Sequence, residues 1–194
     1  MFVGIDASKN GTGICIRNNS KTILYTYTKH ISKKIKEFYL EDDEFVVIAK
    51  RQDYPDTLSP FEQLRHIRTE IFSDIAPFIA DGAKFFLEGY SMAGSGRITM
   101  LAEVTSLFKD AIYDMGFKID GIFAPSLIKK HVGGKGNLKK NEIYENCWGN
   151  EKLKSLMNKI EKDGYIYKTS CWQIDLLDAW AVSEMGRIKG EENE

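Results

Sequence analysis

The stretch FVGIDASKNGTGICIR, residues 2–17, decides the fold. Residues 2–6 are apolar up to a closing Asp6 and read as a buried strand. The GTG at 11–13 reads as the turn of a hairpin, with Ile14–Arg17 as the returning strand. Beyond it, TILYTYT at 22–28 is rich in β-branched and aromatic residues and reads as a third strand. Three strands joined by short turns make an antiparallel meander.

Working outward, residues 29–58 hold lysines, an acidic EDDE, a short apolar run and a proline-containing loop, which reads as an insertion or an extra hairpin. The spacing then predicts a helix over 59–80. Ser59 is its N-cap, Pro60 its first residue and Glu62 completes a capping box. Phe61, Leu64, Ile67, Ile71 and Ile75 form its core stripe. KFFLEG at 84–89 reads as a central strand, 97–116 as a helix ended by Gly116, and 121–124 as a short strand. Pro125 opens a helix to about His131, and a glycine-lysine loop follows at 133–137. Helical segments are expected near 139–147 and 150–163, and a last helix over 173–188. This order predicts an α/β fold in one domain spanning 1–194: a mixed five-stranded sheet, antiparallel at first and parallel later, with helices on both faces. The ribonuclease H-like fold has this order.

Composition narrows the function classes. With 43% hydrophobic and 28% charged residues the chain is ordinary for a globular protein, and no apolar run is long enough to cross a bilayer. No secretory signal is visible at the start. Cys15, Cys147 and Cys171 are odd in number and widely spaced, so they make neither a disulfide framework nor a metal knuckle. The reading is a reducing compartment, the cytoplasm, or the host's cytoplasm for a phage-encoded chain. Net charge is −1, which gives no sign of a polyanion partner. The distribution does: 129–140 carries five lysines and no acid, and 29–36 carries four lysines and no acid.

The acids carry the chemistry. Asp6 and Glu88 each end an apolar strand, and Asp175 and Asp178 sit three apart near the start of the last helix, on one face. A carboxylate closing a buried strand is costly without compensation. Two such strands side by side bring like charges together, which favours a cation between them. Hard ions such as Mg²⁺ take oxygen ligands, and a carboxylate cluster can hold two of them about 4 Å apart for phosphodiester cleavage. Each acid also has a plainer reading. Asp6 can cap the hairpin loop, Glu88 can pair with a buried arginine, and acids in a helix's first turn are favoured by its dipole. The glycines at 11–13 have a rival reading as a phosphate cradle of the actin-like kind, which needs a second lobe that this length does not supply.

In IKKHVGGKGNLKKNEI, Lys129, Lys130, Lys135, Lys139 and Lys140 flank a glycine turn that lets backbone approach a ligand, and they would neutralise phosphates of a long substrate. Tyr90 and Met92, just past Glu88, have two readings, stacking on a splayed base or packing in the core. His30, His66 and His131 read as surface or loop residues.

In these motifs the chain resembles the RuvC-like Holliday junction resolvases. GIDASKNGTGICI is similar to that family's opening segment. FFLEGYSMAGSGR resembles its strand-end glutamate followed by the loop, here reaching Arg97, that enters the junction. IFAPSLIKKHVGGKGNLKKNEI resembles its lysine-glycine stretch, and IDLLDAWAVSEMGRI its closing helix. The resemblance implies a homodimeric, metal-dependent endonuclease that nicks four-way DNA junctions. It implies Asp6, Glu88, Asp175 and Asp178 as ligands of two Mg²⁺ ions, with Mn²⁺ able to substitute. It implies Lys129 and Lys140 near the substrate phosphates, Lys140 among the catalytic residues. Ala7 stands where the family has proline and Trp180 where it has leucine, while Ser91 falls at its junction-entering aromatic. The long 29–58 stretch looks more like divergent phage members, which cut other branched DNA too. The helix at 97–116 has an apolar face, Leu101, Val104, Phe108, Ala111 and Met115, broad enough for the sheet and for a twin helix in a homodimer. Two alternatives stay open: a less selective nuclease of flaps, forks or RNA–DNA hybrids, and a non-catalytic nucleic-acid-binding protein on the same scaffold.

Overall fold

A computed structural model describes residues 1–31, 36–90, 98–138, 142, 150–162 and 172–191. The strands are β1 (Phe2–Asp6), β2 (Gly11–Arg17), β3 (Thr22–Thr28), β4 (Glu37–Glu41), β5 (Phe45–Arg51), β6 (Lys84–Glu88) and β7 (Ile119–Phe123). The helices are α1 (Pro60–Ile75), α2 (Ile98–Asp114), α3 (Pro125–Gly133), α4 (Glu151–Lys162) and α5 (Trp172–Glu191). All strands join one mixed sheet in the order β4-β5-β3-β2-β1-β6-β7. The expected mixed α/β sheet is therefore present, but with seven strands rather than five. The surplus is the hairpin β4–β5 inside the 29–58 stretch. Its second strand pairs parallel to β3, from Thr22↔Phe45 to Thr28↔Arg51.

The period-2 alternation of the strands sorts their side chains onto two faces. Val3 and Ile5 of β1, Ile14 and Ile16 of β2, Tyr25 of β3, and Phe85 and Leu87 of β6 join the core beneath α1 and α2. Cys15, Leu24, Val47 and Phe86 join the opposite core beneath α3, α4 and α5. The long helix α5 is buried nearly all round, from Trp172 to Gly186, which is how a helix covered on both sides reads. It lies almost in contact with the sheet backbone. A Cβ on Gly4 would stand 2.3 Å from the Ser183 nitrogen, and one on Gly13 1.8 Å from the Asp175 carbonyl oxygen.

That contact corrects the reading of the glycine motif. Gly11-Thr12-Gly13 begins β2 instead of turning the chain, and neither glycine has a positive φ. The turn is residues 7–10. The Ser8 hydroxyl donates to the Gly11 carbonyl (2.7 Å) and accepts from the Gly11 N–H (3.1 Å). The buried Thr12 hydroxyl donates to the Ser8 carbonyl (2.7 Å). Elsewhere the capping box of α1 is present, with the Ser59 N–H donating to Glu62 at 2.8 Å. The helix ends at Ile75, not 80, passing into a 3₁₀ turn at Ala76–Phe78 that carries Pro77. Phe61, expected in its core stripe, is 56% exposed. The expected helix at 139–147 lies almost wholly outside the described residues, as do Cys147 and Cys171.

Candidate active site

Because β1 and β6 are parallel neighbours, with Ile5 opposite Leu87, the next residues of each strand, Asp6 and Glu88, emerge side by side. The alternation that puts Ile5 and Leu87 under α1 and α2 puts these acids on the other face, beneath the N-terminal end of α5. There Asp175 and Asp178 meet them. All four acids line one cleft of about 370 Å³, together with Ser8, His30, Tyr90, Thr105 and Lys129. Asp175 is 7% exposed. Its seat is made by the glycines of β2, since a Cβ on Gly11 would stand 2.2 Å from its Oδ2.

The electrostatics of the cleft are unfavourable as the protein stands alone. Burial first, then the neighbouring charges of Asp6 and Asp178, push the Glu88 carboxyl well above its ordinary range, and a hydrogen bond with Asp6 adds to this. The Lys129 ammonium acts in the opposite sense. Two carboxyl groups joined by a hydrogen bond in a buried place must share a proton or admit a cation. Among the described residues, no three acid, histidine or cysteine side chains are drawn into a ready-made metal cage. What the four acids offer is an all-oxygen donor set around a mutually repelling pair, which fits a hard divalent cation that retains waters.

The other residues singled out in the sequence divide. Lys129, half-buried on α3, lines the cleft beside Pro125. Tyr90 is 41% exposed at its edge. Lys130 and Lys135 are exposed and do not line it. Gly134 closes α3 in the left-handed conformation (φ 76°), with its N–H on the Lys130 carbonyl at 2.9 Å. Met92, Arg97, Lys139 and Lys140 lie outside the described residues. Sequence reading missed Ser8, His30, Leu101 and Thr105 as lining residues. His30 had a signal: β3 runs antiparallel to β2, so it ends at the same edge of the sheet as β1, with β2 between it and Asp6.

No protein-family model matches the chain, and no curated protein sequence matches it. Solved structures do. RuvC of Thermus thermophilus superposes with a TM-score of 0.57 at 14% identity, covering 96% of this chain and 95% of that one. T. thermophilus RuvC in complex with a Holliday junction substrate gives 0.55 at 10% identity over 97% and 94%. The yeast mitochondrial Holliday junction resolvase Ydc2 gives 0.53 at 13% identity over 98% and 81%. At these identities the likeness establishes a shared fold, the RuvC type of the ribonuclease H-like architecture.

Proposed function

We propose that the protein is a metal-dependent endonuclease of branched DNA that resolves four-way junctions by paired nicks, acting as a homodimer through α2. The carrying observation is the meeting of Asp6, Glu88, Asp175 and Asp178 in one cleft of a RuvC-type fold. Mg²⁺, or Mn²⁺ in its place, would be held by these four acids as a pair of ions and would supply a polarised water and charge neutralisation for attack on a phosphodiester. The chain's own groups do the rest. Asp6 and Glu88 are fixed by the sheet, so their spacing does not depend on loop order. Asp175 is held by the close packing of α5 on Gly11 and Gly13. Lys129 brings a positive charge to a cleft that is otherwise acidic, favouring a phosphate over the carboxylates. Tyr90, at the edge, is available to stack on a base. Lys130, Lys135, Lys139 and Arg97 would extend the contact along the DNA, Met92 would stack on a base with Tyr90, and Lys140 would act with the catalytic acids near the substrate phosphate.

The test is a synthetic mobile four-way junction, incubated with and without Mg²⁺, beside a flap, a fork and an RNA–DNA hybrid. Wild type should nick the junction symmetrically only with the metal. Asp6→Asn should abolish nicking, since the ions it would help to hold supply the polarised water, while still shifting the junction in a gel. Retained cleavage by Asp6→Asn removes the metal-site assignment. Preference for the hybrid or flap moves the protein to a less selective nuclease.

A further inference from the structure

We propose that His30 touches the substrate, donating a hydrogen bond to a backbone phosphate of the strand that lies across the carboxylates; this rests on the nuclease reading above. His30 lines the same cleft as Asp6, Glu88, Asp175 and Asp178, but comes from a different part of the chain, the segment just past β3. Lys129 enters from α3, so the acids are flanked from two parts of the chain by groups able to donate to a phosphate. An imidazole keeps one N–H even when neutral, so this role needs no change of protonation state.

The chain around His30 is built as a fixed mount. The buried Thr28 hydroxyl donates to the Asn10 carbonyl (3.2 Å) and accepts from the His30 N–H (3.1 Å). The Lys29 N–H also donates to the Asn10 carbonyl, at 2.8 Å. These bonds tie His30 to the turn that immediately follows Asp6. The inserted hairpin then braces that turn. Gln52, just past β5 and 5% exposed, donates through its side-chain amide to the Lys9 and Tyr27 carbonyls, both at 3.0 Å. Its own N–H donates to the Thr28 carbonyl at 2.9 Å. Lys29, next to His30, is held with its ammonium 4.8 Å from the Tyr54 ring centroid. The backbone of an exposed histidine is thus held in register with Asp6 by buried groups, one of them from an added hairpin.

The experiment compares junction nicking in Mg²⁺ by wild type, His30→Ala and His30→Gln, on junctions bearing one neutral methylphosphonate at successive positions around the nick. His30→Ala should lower kcat/KM about tenfold, the loss of one hydrogen bond to a charged group. His30→Gln, which retains an N–H donor, should recover much of it, and the thermal midpoint should not move. At one position the methylphosphonate penalty seen with wild type should vanish in His30→Ala. Penalties that multiply at every position, an effect of His30→Ala under twofold, or a loss repaired only by raising Mg²⁺ would overturn the inference. Wild type that nicks no branched DNA would sink the nuclease reading and this inference with it. A wild type that nicks while the His30 variants match it sinks the inference alone.

Discussion

Gly13 shows how much of the site depends on what a side chain lacks. It faces Asp6 across the β1–β2 pair, and the first turn of α5 rests on it. Replacing a strand glycine with alanine ordinarily stabilises by about 0.4–1 kcal/mol through the unfolded chain. Here the new methyl would lie 1.8 Å from the Asp175 carbonyl oxygen, a backbone atom that cannot rotate away. Overpacking of this kind costs about 1–3 kcal/mol or more, so the clash wins. Gly13→Ala should lower the urea midpoint and weaken nicking, because α5 and its aspartates must retreat from Asp6. Gly82→Ala is the contrast. Its cost comes from a positive φ (75°) with nothing within 4 Å, and nicking should survive it. Equal nicking by Gly13→Ala and wild type would mean that the seating of α5 does not set the site.

At the scale of elements, the hairpin β4–β5 and the helix α4 form a unit. Leu153, Leu156, Met157 and Ile160 of α4 are buried in the same core as Phe38, Phe45, Val47 and Ala49 of the hairpin. Ion pairs edge the contact: Lys159 with Asp42 at 2.8 Å, and Lys152 with Glu44. Lys159 is 52% exposed and Asp42 27%, so solvent screens the pair and leaves it a minor contributor. Truncating a buried leucine costs about 2–5 kcal/mol. Leu156→Ala should therefore destabilise the protein several-fold more than Lys159→Ala in denaturant unfolding, and the reverse ranking would show that charge holds α4 in place. Much of this was legible. The β1–β2–β3 meander, the capping box of α1 and the helical segment near 150–163 follow from local pattern, which acts over a few residues. The parallel pairing of β5 with β3 was not, because nothing local to Phe45–Arg51 says which strand it will join. Gly11 and Gly13 were misread for a similar reason. A glycine needed for close approach looks, in sequence, like one needed for a turn, and only the arrival of α5 tells them apart.

Taken whole, the molecule places its acids by topology. Two parallel strands end at one level, a helix begins above them, and four carboxylates distant in sequence converge on one cleft. That convergence followed from the strand order and the strand-end positions of Asp6 and Glu88, whereas His30 needed the sense of β3 to be followed as well. Among the described residues the nuclease reading places one such cleft on each chain, while a four-way junction presents two strands related by a two-fold axis. Paired nicks then require two copies in an isologous arrangement. Met100 of α2, 42% exposed, lies on the same helix as the cleft-lining Leu101 and Thr105, so a partner docked along α2 would set the distance between two clefts. The consequence is measurable with mixed chains. Wild type and Asp6→Asn, refolded together in equal amounts, should form about half hybrid dimers, each with one competent cleft. On a supercoiled plasmid with an extruded cruciform, wild type should yield linear DNA. The mixture should accumulate nicked circles beyond the amount given by wild type diluted to the same concentration. A linear product that merely tracks the fraction of wild-type chain would mean that each copy cuts alone and that α2 joins no partner needed for the reaction.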